Sequence, residues 1–341
     1  MQTKWTAVEK KQLWIFVAVA FGMPVLMGIL MGISFYRGND VSVFPNAQMY
    51  YPAAGVMIAV LLTWKKEEKV PIKFFTGFLV LTAVMAGCAV ASLFKPEIQL
   101  ALISQYIIIL GSIVLWLLLW LDKKEVRRKY GLSLGDGQKR RPWLYVLIFL
   151  GLYFLRIFLS YLFEGEPGMF FEMFRSPYTW LNLLVLPLNF FLVYTAFFGE
   201  EYGWRGFFQP MLQKRFGKRA GVLLLGIFWG FWHLPINLFF YSPQTWLQSI
   251  VCQLITCVGI AIFFGYAQMK TCNIWVAVIM HYLNNNLVAV IAGSADVISG
   301  QVIAWRDVLI LLILNCILFV PFIFTKIYGK QEQSAGEEKL Q

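Results

Sequence analysis

The stretch 197-FFGEEYGWRGFF-208 closes an apolar run that begins near residue 179, and it sets Glu200, Glu201 and Arg205 at the edge of that run. A charged side chain near the centre of a lipid-embedded helix costs on the order of 2.5–3.5 kcal/mol. Such groups therefore end a helix at an interface, or they face protein or a water-filled hollow. Composition decides whether lipid is the setting. The chain has 341 residues, 59% hydrophobic and 14% charged, with 31 Phe and 13 Trp. A soluble domain carries about 25% charged residues, so this composition belongs in a bilayer.

Working outward, a membrane span needs about 20 mostly apolar residues, and about ten candidates meet that measure. They are residues 12–34, 46–64, 74–94, 100–121, 143–163, 179–200, 220–240, 246–267, 273–293 and 306–326. Pro52 and Pro235 are expected to bend the second and seventh, and Pro187 to kink the sixth. The run from Leu13 to Ile33 is too long for the apolar core of a signal peptide and has no small-residue cleavage site, so it reads as a span. The fold class expected is all-α: a polytopic transmembrane helix bundle.

The loops test that count. Lys4, Lys10 and Lys11 precede the first span, and Lys65, Lys66, Lys69 and Lys73 follow the second. Residues 122–142 hold Lys123, Lys124, Arg127, Arg128, Lys129, Lys139, Arg140 and Arg141, and the sixth loop holds Lys214, Arg215, Lys218 and Arg219. The loops between these are poor in basic residues, and the one after 163 is acidic, with Glu164, Glu166 and Glu172. Even loops are basic, so the charge rule places both termini in the cytoplasm and the chain in the cell membrane. This distribution accounts for the net charge of +11 without a nucleic-acid partner. The partner implied is the lipid bilayer. The Cys residues are scattered, without metal-ligand spacing, and read as small buried hydrophobes. The organisation expected is a four-span bundle over 1–121, a basic loop over 122–142, a six-span core over 143–326, and a polar, disordered tail over 327–341.

Nearly all polar chemistry in the apolar runs falls in that core. Glu201 and Arg205 are spaced i, i+4 and suit an ion pair on one helix face. Glu200 lies about 100° round the helix from Glu201, so Arg205 does not readily serve both. A carboxylate without a counter-ion and partly shielded from water suits general acid–base work. The chain has 2 His: His233 in IFWGFWHLPIN and His281 in VIMHYLNNN. His281 and Asn285 are i, i+4 and point the same way. Trp229 stands one turn before His233 and is placed to buttress its ring. A Glu and a His can orient and deprotonate water, while a second His and an Asn can stabilise an oxyanion. That set suits hydrolysis of a carbonyl compound, most simply a peptide bond.

Three motifs in order, Glu-Glu-x-x-x-Arg (Glu200, Glu201, Arg205), Trp-x-x-x-His (Trp229, His233) and His-x-x-x-Asn (His281, Asn285), resemble those of the CPBP intramembrane proteases, also called the CAAX prenyl protease 2 or Abi family. The resemblance covers roughly residues 180–295. It implies that residues 143–326 form a protease core. It further implies that Glu200 activates water, that His233 helps hold it, and that His281 and Asn285 stabilise the oxyanion. Glu201 and Arg205 are then a supporting pair. The second motif often begins with Phe in the family, and here Trp229 takes that place, with the same packing role expected. The family was named as metalloproteases, and Glu200, His233 and His281 are a set able to ligate zinc. The same residues serve a metal-free glutamate mechanism equally well. The implied substrate is a membrane-associated peptide or protein, and the cytoplasmic placement of the glutamate end suggests that it enters from the cytoplasmic half of the bilayer.

Two other readings stay open. One is a non-catalytic membrane protein, an immunity factor or scaffold, motivated by the unexplained first four spans. The other is a transporter using buried charges as a path. Arg156, inside the fifth span, is its best support, although Arg156 can instead neutralise the glutamate pair.

Overall fold

Apolar runs in lipid can satisfy their backbone groups within one segment only as α-helices, and every regular element among the described residues is helical. The structure is a computed structural model and describes residues 4–65, 67–135, 141–294 and 296–329. Helices α1 (Ala7–Ala20) and α2 (Gly22–Tyr36) form one long hydrophobic arm; α3 (Val43–Gln48) and α4 (Tyr51–Thr63) follow. Then come α5 (Ile72–Phe94), α6 (Leu100–Leu121), the short α7 (Lys124–Lys129), α8 (Pro142–Glu164) and α9 (Pro167–Glu172). The core continues with α10 (Pro177–Glu201), a π-helical turn (Tyr202–Phe208), α11 (Gln209–Phe216) and α12 (Lys218–Trp232). A short α13 (Leu234–Ile236), a second π turn (Asn237–Tyr241), α14 (Trp246–Thr271), α15 (Ile274–Ala292) and α16 (Trp305–Leu318) complete it.

Among the described residues, 8 helices are long and apolar enough to cross a membrane, and the bent pair Lys218–Trp232 and Leu234–Tyr241 makes 9. The remaining expected span, 46–64, is divided into α3 of 6 residues and α4 of 13 residues, neither sufficient alone. Pro52 explains the division, because it has no N–H for the Gln48 carbonyl four residues earlier. Together α3 and α4 still return the chain across the bundle: Gln12 Nε2 donates to Thr63 Oγ1 at 2.9 Å, at the start of α1. Pro187 sits inside α10 without ending it. Pro235 acts where expected, since the seventh segment bends by 41° at His233.

The basic segments gather at one end. Trp5 Nε1 donates to Met211 O at 3.0 Å, and Lys214 pairs with Glu9 at 2.6 Å. Lys218 Nζ and Arg219 Nε donate to Ile327 O and Ile323 O at 3.0 and 3.1 Å. Trp275 Nε1 donates to Leu132 O at 3.2 Å. Residues near both chain termini thus lie at the same end of the bundle. Tyr328 is buried, its hydroxyl donating to Ile262 O at 2.7 Å, so residues 327–329 pack against α14. Residues 330–341 of the expected tail lie outside the described residues. At the opposite end Ser242 Oγ donates to Gln301 O at 2.7 Å, and Arg306 Nη2 to Phe163 O at 3.0 Å.

Helices α1–α6 share one hydrophobic core with α8, α10–α12 and α14–α16. They also grip the two broken segments of the later half. Gln48 Nε2 donates to Trp232 O at 2.8 Å, and Trp232 Nε1 to Ala20 O at 2.7 Å. Gly28 of α2 lets Pro235 approach so closely that a Cβ there would lie 2.7 Å from the proline ring. Gly199 likewise admits the Met49 backbone against α10. Tyr50, Thr195 and Ser112 are joined by hydroxyl hydrogen bonds of 3.0 and 2.9 Å.

Candidate active site

The two adjacent carboxylates at the end of α10 receive separate partners because positions 204 and 205 are each one turn onward. Trp204 Nε1 donates to Glu200 Oε2 at 3.2 Å. Arg205 Nη1 donates to Glu201 Oε1 at 2.9 Å, with both side chains fully buried. The π-helical turn follows directly, a backbone irregularity frequent at functional sites.

Glu201 Oε1 also accepts from His281 Nδ1, at 2.8 Å. That contact fixes the ring and leaves Nε2 as the free nitrogen. In His233, Nδ1 lies 2.8 Å from the Trp229 carbonyl. A carbonyl oxygen only accepts, so Nδ1 carries the proton and Nε2 keeps its lone pair. The bend at Pro235 sets the end of α12 at His233, and Asn237 Nδ2 caps the His233 carbonyl at 2.9 Å. Asn237 is itself held by Ser249 at 2.6 Å, so its amide is committed to structure.

Trp229 connects these groups. Its Nε1 donates to Glu200 Oε2 at 2.8 Å. Its ring lies 4.1 Å from the Arg205 guanidinium carbon and 5.5 and 6.0 Å from the His281 and His233 rings. Phe264 covers Arg205 at 5.2 Å. Asn285, one turn from His281, accepts from Asn284 Nδ2 at 3.0 Å through Oδ1, leaving its own amide N–H groups available.

A cavity of about 1220 Å³ has Glu200, Trp229, His233, His281, Asn284 and Asn285 in its wall. Its far reach is lined by Ser42, Glu164, Ser299 and Gln301, at the end away from the basic loops. Entry from the cytoplasmic half of the bilayer is the expectation from the position of the glutamates; the cavity extends away from the basic end. Toward that end the site is backed by Phe198, Tyr202, Trp204, Phe208 and Trp232, all buried and in ring contact.

Cys257, by its sequence setting a small buried hydrophobe, also lines the cavity, with Sγ 4.0 Å from His233 Nδ1. That nitrogen already donates to the Trp229 carbonyl, so it cannot take the thiol proton, and the pair lacks the geometry of a nucleophile and base. Trp204 was not singled out from the sequence, though its i, i+4 spacing from Glu200 was available. Arg156 lines the same cavity and makes no ion pair with either glutamate.

The zinc set fits only in part. Each imidazole donates its Nδ1–H as a ligating histidine does. Yet among the described residues no three His, Cys, Asp or Glu side chains form a group able to hold a metal ion. The donors present do not support a metalloprotease assignment.

Residues 180–287 match the family described as Type II CAAX prenyl endopeptidase Rce1-like. The chain is 31% identical over 172 residues to the CAAX prenyl protease 2 of Methanococcus maripaludis, covering 48% of this chain and 61% of that protein. No solved structure matches.

Proposed function

We propose, from the membership of this chain in the CAAX prenyl endopeptidase (CPBP) family through residues 180–287, that it is an intramembrane endopeptidase acting through a water held by Glu200 and His233. The observation that carries this reading is the meeting of Glu200, His233, His281 and Asn285 in the wall of one cavity within the bundle. Glu200 Oε2 is fixed by two indole donors, which leaves Oε1 to take a proton from water. His233 Nε2, with its lone pair free, is the second acceptor for that water. As the water attacks the scissile carbonyl, negative charge grows on the carbonyl oxygen. Asn285 Nδ2 supplies a donor for it, and His281 Nε2 supplies a second when the ring acts as the imidazolium. Glu201 orients His281, as the carboxylate does in a Ser-His-Asp triad. Arg205 holds Glu201 in turn. No step is routed through a metal.

The substrate class is a membrane-associated peptide or protein. Prenylated CAAX peptides, named by the relative, are one candidate, and short unprenylated membrane peptides are the other. The test incubates purified chain in vesicles with a library of lipid-modified and unmodified peptides and reads cleavage by mass spectrometry. Glu200→Gln is expected to lower cleavage by about 10²-fold or more while leaving the protein monodisperse. Wild-type cleavage by Glu200→Gln would remove Glu200 from the chemistry.

A further inference from the structure

Arg156 is a cation without a counter-ion. It lies on α8 well inside a candidate span, Pro142–Glu164. Its guanidinium carbon stands 5.4 Å from the Tyr153 ring centre, and among the described residues it has no hydrogen-bond or carboxylate partner. The carboxylates that share its cavity are Glu164 at the mouth and Glu200 at the floor. Glu200 is engaged by the indoles of Trp204 and Trp229.

A charged side chain at membrane depth normally faces protein, water or a partner. Arg156 faces the cavity. Around it, Gln105, Ser160, Asn189 and Asn286 present neutral hydrogen-bonding groups to the same space. A guanidinium offers planar, paired N–H donors matched to a carboxylate. Arg156 also lies outside residues 180–287, the segment matched by the family, so its placement belongs to the part of the chain that the match does not describe.

We propose that Arg156 is a carboxylate-binding subsite of the substrate cavity, so that the peptide bound for cleavage carries an acidic group on the side of the scissile bond that faces the cavity mouth. This rests on the endopeptidase reading for its meaning, though not for its test. The pull of a fixed cation also gives a bound peptide a single direction in the cavity.

The probe is N-lauroyl-glycyl-leucine, with the corresponding C-terminal amide as its neutral twin. Binding of each to the purified full chain in dodecyl maltoside is measured by quenching of tryptophan fluorescence. The acid is expected to bind at least about tenfold more tightly than the amide. Arg156→Gln is expected to abolish the difference, and Arg156→Lys to keep part of it, which controls for folding. Glu200→Gln is expected to keep it fully, whether or not the chain is a protease. Equal binding of acid and amide to wild type, or a preference unchanged in Arg156→Gln, overturns the subsite even if cleavage is observed. Tighter binding of dodecyl phosphate than of the acid, lost in Arg156→Gln, overturns the assignment to substrate in favour of a lipid headgroup. Persistence of the acid preference alongside undiminished cleavage by Glu200→Gln supports the subsite and sinks the glutamate mechanism instead.

Discussion

Trp229 stands where the resembling family often has phenylalanine, and the exchange is more than a change of ring. Only an indole brings the N–H that reaches Glu200 Oε2 at 2.8 Å. A hydrogen bond to a charged group contributes roughly 1.5–3 kcal/mol. Trp229→Phe keeps the ring that covers Arg205 and removes the donor. We expect kcat to fall by about tenfold, with KM little changed, measured with whichever peptide the library identifies. Glu201 makes a different demand. It is 0% exposed and shared by Arg205 and His281. Glu201→Gln leaves the Arg205 charge buried without its partner, a loss of about 3–5 kcal/mol in comparable pairs. The expected outcome is a midpoint of thermal unfolding in detergent lowered by several degrees, with cleavage lost. Spacing made Glu201 and Arg205 readable as a pair. Trp204 was not legible in the same way, because a neutral donor one turn from a carboxylate leaves no charge pattern in the sequence.

At the scale of the element, the bent α12–α13 segment depends on a helix far away in sequence. Pro235 produces the bend, and Gly28 of α2 gives it room. A side chain at position 28 must push against a rigid ring rather than a flexible one. Overpacking of this kind costs about 1–3 kcal/mol. Gly28→Val is expected to lower thermal stability and to impair cleavage by displacing His233, while Gly22→Ala, where nothing lies within 4 Å of the added carbon, leaves both unchanged. Parallel unfolding and cleavage measurements on the two variants check this. Most helices were legible because long apolar runs admit one backbone solution in lipid. The segment 46–64 was legible only in part: Pro52 announced a bend, but hydropathy does not register that the break leaves neither piece long enough to span. Nor could composition reveal that the first four expected spans hold Gln48 against Trp232 O and Met49 against Gly199, since those contacts exist only once the helices meet.

For the whole molecule, two polarities run opposite to each other. The basic segments gather at one end, and the cavity extends toward the other, past Glu164, Ser299 and Gln301. The alternation of basic loops was legible from charge alone. The direction of the cavity was not, because it depends on which ends of the helices splay and which are filled by Trp204, Phe208 and Trp232. If the basic end follows the charge rule and lies in the cytoplasm, Ser42 and Ser299 are on the outer side. In a cysteine-free background, Ser42→Cys and Ser299→Cys are expected to react with a membrane-impermeant maleimide added to intact cells, and Lys69→Cys only after lysis. Labelling in the reverse order would turn the molecule over without altering its internal geometry.

Aromatic rings fill the space behind Glu200 and His281 at the basic end of the hollow. On the endopeptidase reading, a cut fragment and fresh substrate share the reach of the cavity that Arg156 lines. We expect a released acidic fragment held at that cation to compete with fresh substrate, read as product inhibition that Arg156→Gln relieves.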